Sequence, residues 1–201
     1  MKDNLDQTVN TYQENFHKYA ERTVAEVSGE FKVWEDEFSS KLPPGGSIFE
    51  IGSATGRDAR YLKSKGFRVF CTDVIPQALE DLQKEGFETS EFNFKDKPKD
   101  EWKNSFDGFF ANAVLLHASQ EEFEKSLENI YGILKEGGVV AFSLKTGQGE
   151  EVSTAKMDAP RFFKYYQKDE LEKILQKYPY EILTLDEADE GKWLHVILKK
   201  K

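Results

Sequence analysis

Nine residues, Ile48-Phe49-Glu50-Ile51-Gly52-Ser53-Ala54-Thr55-Gly56, constrain the fold more than any other stretch. A β-forming apolar run stops on a glycine, and a second glycine follows just before a helical pattern. Gly52 and Gly56 lack a Cβ, so the main chain there can take unusual φ/ψ values and approach a ligand closely. The free N–H groups at the start of the following helix attract an anionic or polar group. Asp73 closes the next β-type run, 21 residues after Gly52, where a carboxylate can accept two hydrogen bonds from a ribose diol. The spacing G-x-x-x-G is not the dinucleotide fingerprint, and no Lys-Ser/Thr follows Gly56 as a P-loop requires. Tyr61 and Lys65 form a Tyr-x-x-x-Lys inside the first helix after the turn, facing away from any hydride acceptor, which disfavours a short-chain dehydrogenase.

Around this turn, short β-type runs alternate with helical segments, each joint marked by glycine. Ser47 to Ile51 reads as a strand, Arg57 to Lys65 as a helix ended by Gly66, and Phe67 to Thr72 as a strand ending on Asp73. Pro76 opens the next helix at its first position and Gly86 closes it. Phe87 to Phe92 and Phe106 to Val114 follow as strands three and four. Ser119 and Glu122 form a capping box ahead of Phe123, Leu127, Ile130 and Leu134, a helix that Gly137-Gly138 are expected to end before a fifth strand, Val139 to Leu144. After a helix over about Lys168 to Lys177, Tyr180 to Leu185 and Lys192 to Leu198 read as two strands. The joint Asp186 to Gly191 is too short for a crossover helix, so that pair must be antiparallel. The prediction is an α/β, Rossmann-like three-layer sandwich whose seven-stranded, mostly parallel sheet ends in an antiparallel C-terminal hairpin strand.

Ahead of this body, Leu5, Val9, Tyr12, Phe16, Tyr19 and Val24 fall on one helical stripe that Gly29 is expected to end, and Phe31 to Phe38 form a second short helix. Leu42-Pro43-Pro44-Gly45-Gly46 breaks any helix. Residues 1–44 are therefore predicted to be an N-terminal helical cap, packed on the body, seaming a dimer or covering a site, and 45–201 the main domain. The chain has 201 residues, one cysteine (Cys71) and a net charge of −9. It is long enough to fold without disulfides, and its overall field repels phosphate backbones. Composition thus predicts no nucleic-acid partner. The charged opening Met1-Lys2-Asp3 lacks a signal-type apolar region, and no apolar run approaches bilayer length, so a cytoplasmic protein without a membrane partner is expected.

On these residues the sequence resembles the class I S-adenosylmethionine-dependent methyltransferases over nearly all of Leu42 to Lys199. The family's acid-x-G-x-G-x-G motif is matched by Glu50-Ile51-Gly52-Ser53-Ala54-Thr55-Gly56, with Ala54 at the middle glycine. The resemblance implies S-adenosylmethionine as cofactor. Glu50 would anchor the turn or the cofactor's amino group, Asp73 the ribose hydroxyls, and Val74 the adenine. Asn93-Phe94 occupies the place of the adenine-reading acid and its neighbour, and Asn112, Ala113 and His117, after the fourth strand, would line the methyl-donor pocket. Ser53, Thr55 and Arg57 complete the expected cofactor loop. Within the family, Gly56-Arg57-Asp58 and Tyr19 to Thr23 look like compact bacterial enzymes acting on small molecules.

Methyl transfer from a sulfonium is an in-line displacement that needs alignment and exclusion of water more than a base. His117 is the candidate base, with a structural role as the alternative. Substrate candidates are Lys145, in a stretch with no apolar period, and Arg161, Tyr165 and Tyr166, which are either a packed aromatic connector or a pocket wall. In the second case Arg161 or Lys145 would pair with an acidic acceptor while Tyr12 and Tyr19 close from the N-terminal helix. No residue cluster has metal-ligand spacing. The expectation is a small-molecule methyltransferase, monomeric or homodimeric. A cofactor-binding sensor without catalysis and an RNA-modifying enzyme stand as alternatives.

Overall fold

A computed structural model describes residues 4–201; the opening Met1 to Asp3 lies outside them. Strand β1 (Ser47–Ile51) is an inner strand of the sheet. It pairs in parallel with β2 (Arg68–Asp73) on one side and β4 (Phe106–Ala111) on the other. Strand β3 (Glu88–Glu91) extends the sheet beyond β2, and β5 (Leu134–Thr146) lies in parallel beyond β4. Strand β9 (Trp193–Lys200) pairs antiparallel with β5, and β8 (Tyr180–Ala188) antiparallel with β9. The expected C-terminal hairpin is thus present, with β9 as the one reversed strand among these seven. Chain direction across the sheet switches between β1 and β4, so their carboxyl ends border the crevice where such sheets receive ligands.

Both sheet faces are covered, which explains the near-continuous apolar strands. Ile48 and Phe110 face one layer, formed by α3 (Gly29–Ser40), α4 (Arg57–Ser64) and α5 (Pro76–Lys84). Phe49 and Phe109 face the other, formed by α6 (Gln120–Ile133) and α7 (Lys168–Leu175), with Leu5 of α1 (Asn4–Glu14) joining it. Phe49 is fully buried among Phe70, Phe92, Trp102, Phe106 and Phe109, with ring centroids 5.1–6.0 Å away. Burying one such ring contributes about 1.5–3 kcal/mol. The capping box of Ser119 and Glu122 starts α6 as expected, and Pro76 starts α5.

Four sequence expectations need correction. The N-terminal stripe is two helices: α1 stops at Glu14 and α2 covers Phe16–Glu21. Asn15 folds its side-chain amide back onto the Thr11 carbonyl (2.8 Å) and breaks the run; Val24 is 64% exposed, and Gly29 opens α3 rather than ending the first helix. Strand β4 stops at Ala111, three residues early, because Asn112 is drawn away by side-chain hydrogen bonds and Ala113 takes φ +57°. Helix α6 ends at Ile133, not at Gly137-Gly138; the glycines sit in an offset of β5, where pairing jumps from Phe106–Leu134 to Gly108–Val139. Finally, two further strands, β6 (Glu150–Ser153) and β7 (Arg161–Tyr166), form an antiparallel pair where a loop and connector were expected.

Strand β7 pairs in parallel with the last two residues of β5, Lys145 with Tyr165 and Thr146 with Tyr166. Lys145 already pairs with β9 on its other edge, so β7 occupies the side that β4 vacates. It therefore stands over the carboxyl end of β4. Helix α1 is tied to it: the Thr11 hydroxyl donates to the Pro160 carbonyl (2.6 Å), and the Phe162 N–H donates to the Thr8 hydroxyl (2.9 Å). These contacts bring the N-terminal helices over the crevice.

Candidate active site

The glycine turn is built by close approach. Gly52 has φ +67°, and a Cβ there would stand 2.4 Å from Cγ2 of Val114; Gly56 has φ +74°, and a Cβ would stand 2.5 Å from Cδ2 of Leu82. Ala54 also adopts positive φ, +45°, which costs a non-glycine residue about 1–2 kcal/mol. Its N–H donates to Oδ2 of Asp73 at 2.8 Å, which offsets that strain. The turn is closed by Gly56 N–H to the Ser53 carbonyl (2.7 Å) and Ser53 N–H to the Thr72 carbonyl (3.1 Å), while Arg60 holds the Thr55 carbonyl (2.9 Å).

Asp73 is buried at the end of β2, its Oδ1 accepting from Ile75 N–H at 2.9 Å. Burial raises its pKa against the pull of the backbone donors around it. Each oxygen keeps a further lone pair, and Asp73 lines a cavity with Gly52 and Ala54 from the turn, Val74 and Ile75 after β2, and Phe92, Asn93 and Phe94 after β3. Asn112, Ala113, Val114 and His117 form the wall after β4, and Leu5, Thr8, Val9, Tyr12, Phe16 and Tyr19 the roof. The amide oxygen of Asn93 accepts from Lys95 N–H (3.2 Å) and retains its second lone pair.

Beneath the turn lies a polar network. Arg57 pairs with its neighbour Asp58 (Nη2 to Oδ2, 3.0 Å), and Asn112 donates to the same Oδ2 at 3.0 Å. The Ser143 hydroxyl donates to Oδ1 of Asn112 (2.8 Å) and accepts from Ala113 N–H (2.8 Å). Asn112 therefore lines the cavity with its amide committed to fixing the two loops relative to each other. Glu50 is buried beside this network with Oε2 unpartnered, as is Oγ of Ser53. Burial, and then Asp58, push the Glu50 carboxyl up to about 8. Glu35, on α3, is 0% exposed with both oxygens unpartnered, and burial with Asp58 pushes it up to about 10. Sequence reading missed Glu35, Asp58 and Ser143. Glu35 did carry a signal, standing four residues after Phe31 and three before Phe38, on the apolar face of its helix.

His117 is buried with both ring nitrogens occupied. Nδ1 lies 2.6 Å from the Phe162 carbonyl, which only accepts, so Nδ1 carries the hydrogen. Burial pushes its pKa down to about 4, leaving Nε2 bare to accept from the Tyr12 hydroxyl at 3.0 Å. Nη1 of Arg161 donates to the same hydroxyl oxygen at 3.1 Å. The chain Arg161 to Tyr12 to His117 to Phe162 thus has one direction, and His117 lines the cavity with both ring nitrogens engaged.

Of the other substrate candidates, Tyr19 meets Tyr12 edge-on (5.3 Å) in the roof. Lys145 lies over the rings of Phe163 and Trp193, and the Tyr165 hydroxyl donates to Glu151 (2.8 Å). Tyr166, on the opposite face of β7, is fully buried against Phe123 (5.4 Å). None of these last three lines the cavity. Among the described residues, no group of three or more His, Cys, Asp or Glu could hold a metal ion, and no helix is long and apolar enough to cross a membrane.

A family model described as a methyltransferase domain matches residues 49–142, which span the glycine turn, β2 to β4 and the first part of β5. No curated protein matches the chain in sequence. Among solved structures, a Burkholderia thailandensis 1,6-didemethyltoxoflavin N1-methyltransferase with bound 1,6-didemethyltoxoflavin and S-adenosylhomocysteine superposes with a TM-score of 0.75. It is 16% identical, over 98% of this chain and 88% of that one. A Methanosarcina mazei S-adenosylmethionine-dependent methyltransferase gives 0.68 at 17% identity, over 80% and 95%. A Rhodobacter sphaeroides protein described as a candidate zinc-dependent alcohol dehydrogenase gives 0.76 at 11%, over 100% and 99%. At these identities the likeness is one of fold.

Proposed function

We propose that this chain, in which a methyltransferase domain model matches residues 49–142 and whose fold is shared by S-adenosylmethionine-dependent methyltransferases, transfers a methyl group from S-adenosylmethionine to a small-molecule acceptor by in-line displacement. The observation that carries the reading is the clamp between the turn and Asp73. A buried carboxylate at the end of β2 is held by Ala54 N–H and Ile75 N–H, with a lone pair left on each oxygen beside a cavity.

The residues present suit the adenosyl donor. Asp73 would accept from the two ribose hydroxyls, Val74 and Phe94 would flank the adenine, and Asn93 would take its exocyclic amine. Gly52 leaves the space a side chain would fill, and Glu50, with an unpartnered buried oxygen, would meet the cofactor's amino end. S-adenosylmethionine supplies an activated methyl group on a sulfonium. The chain then has to align the acceptor and keep water out, effects that can lower a barrier by about 7–11 kcal/mol. Tyr12 and Tyr19 shut the roof, Ala113 and Val114 shape the wall after β4, and His117 holds Tyr12 in place. His117 is a positioning residue in this scheme, not the base. Helices α1 and α2, which roof the cavity, would act as the lid. The small-molecule acceptor of the Burkholderia enzyme, which matches along 98% of this chain, favours an acceptor of that size.

The test is transfer of labelled methyl from S-adenosylmethionine over a library of small molecules, with bulk tRNA and rRNA as further acceptors. Labelling of a small molecule is the expected result. Labelling of RNA alone would overturn the acceptor class, and binding of the cofactor with no transfer to anything would make the protein a sensor.

A further inference from the structure

Arg161 is 6% exposed, yet no carboxylate lies within ion-pairing distance of it among the described residues. Nη1 donates to the Tyr12 hydroxyl (3.1 Å), Nη2 donates to the Ala155 carbonyl, and Nε has no partner. Lys145 likewise has no carboxylate partner there. Both cations converge on one ring: Cζ of Arg161 is 5.0 Å and Nζ of Lys145 is 5.2 Å from the centroid of Phe163. Strand geometry explains the convergence. Arg161, Phe163 and Tyr165 alternate onto one face of β7, and Lys145 pairs in register with Tyr165, so its side chain shares that face.

The chain carries 37 acidic residues against 28 basic ones, so missing counter-ions at this spot are a local arrangement. Burying an unpaired charge is costly unless something supplies the opposite one. His117, 4.8 Å from the Phe163 ring, reports the same excess of positive charge: Arg161 and Lys145 add to burial in disfavouring its cationic form. Arg161 stands behind the cavity lining, bonded to Tyr12 of the roof, which in turn bonds His117 of the wall after β4, and away from the glycine turn, where Arg57 is already matched by Asp58.

We propose that the methyl acceptor is a small organic carboxylate, bound as an anion by Arg161 and Lys145 over Phe163, with Tyr12 moving off Arg161 to admit it. This rests on the small-molecule reading above and names the acceptor's charge. The anion neutralises the guanidinium that Tyr12 only partly satisfies, and the two tyrosines and Phe163 flank its apolar part.

The test uses the full chain saturated with S-adenosylhomocysteine and titrates matched acid and amide pairs: benzoate and benzamide, phenylacetate and phenylacetamide, indole-3-acetate and indole-3-acetamide. In at least one pair the acid should bind ten-fold or more tightly than the amide. Arg161→Gln and, separately, Lys145→Gln should cut that preference to three-fold or less, leave S-adenosylhomocysteine affinity within two-fold, and Arg161→Lys should recover part of it. No preference in any pair, including no binding at all, overturns the proposal, as does a preference that survives both variants. A ten-fold loss of S-adenosylhomocysteine affinity in Arg161→Gln also overturns it, by giving that cation to the donor's own carboxylate. Failure of the unaltered protein to bind S-adenosylhomocysteine would instead remove the underlying methyl-transfer reading, before any acid is added.

Discussion

The backbone N–H of Ala54 donates to Oδ2 of Asp73 at 2.8 Å, joining the loop after β1 to the end of β2 through a left-handed alanine. One carboxylate therefore sets the shape of the turn and, in the proposed function, holds the ribose. Its removal should cost both stability and binding.

Asp73→Ala leaves the Ala54 and Ile75 N–H groups without their acceptor. Charge-assisted hydrogen bonds contribute about 1.5–3 kcal/mol each, so S-adenosylhomocysteine affinity should fall at least about 30-fold, with a lower Tm of the free protein. Calorimetric titration beside thermal unfolding checks both. Unchanged affinity would remove Asp73 from the site.

Gly52→Ala brings a Cβ to 2.4 Å from Val114 and forces alanine to φ +67°. The positive φ alone costs about 1–2 kcal/mol, and the clash adds to it. A Tm drop of several degrees is expected, with part recovered in the Gly52→Ala, Val114→Ala double variant. Full stability in the single variant would contradict the packing described. At Ala54 the effects oppose each other: glycine relieves about 1–2 kcal/mol of left-handed strain but loosens the unfolded chain by about 0.4–1 kcal/mol, so Ala54→Gly should be neutral to slightly stabilising.

Glu50 and Glu35 titrate high in the folded chain, pushed up to about 8 and about 10. In the unfolded chain both ionise near pH 4.3. Above that pH the folded state binds more protons than the unfolded one, so stability falls as pH rises from about 5 to 8 through Glu50, and on towards 10 through Glu35. Below pH 4 neither contributes to the slope. Glu50→Gln should reduce the slope between pH 5 and 8 and leave it unchanged above, whereas Glu35→Gln should reduce it from pH 5 through to 10, as urea melts at pH 5, 7 and 9 would record. Stability rising over that range and insensitive to both substitutions would contradict the burial assigned to these carboxyls.

His117, held down to about 4 with both nitrogens bonded, should leave no ionisation near 6.5 in the pH dependence of methyl transfer. Tyr12→Phe should lower KM for an acidic acceptor more than it changes kcat, because it frees Arg161 from the Tyr12 hydroxyl without touching the glycine turn. An inflection near 6.5 that vanishes in His117→Asn would restore the histidine as base.

Local rules made much of the fold legible. Pro76 at a helix start, the Ser119 and Glu122 capping box, and the apolar runs of β1 and β2 each specify their element without help from distant residues. The same holds for the cradle: Gly52, Gly56 and Asp73 are recognisable because positive φ and a strand-end acid leave a trace in sequence. What was missed depends on contacts far along the chain. Asn15 breaks a clean helical stripe so that α1 can lie along β7, about 150 residues away. Strand β7 is buried on both faces, so it lacks the two-residue alternation that would have revealed it. Gly137 and Gly138 resemble a helix end but serve an offset in β5. Asp58 and Ser143 gain their roles only through Asn112, which no spacing rule connects to either.

The central claim is that the turn at Gly52 and the carboxylate of Asp73 together hold an adenosyl ligand. Calorimetric titration of S-adenosylhomocysteine into the unaltered chain and into Asp73→Ala tests it directly. The account predicts one site with a dissociation constant below about 100 μM, roughly −5.5 kcal/mol or better, in the unaltered chain, and little or no saturation in the variant. No saturable binding to the unaltered chain, or equal affinity in both, would contradict it.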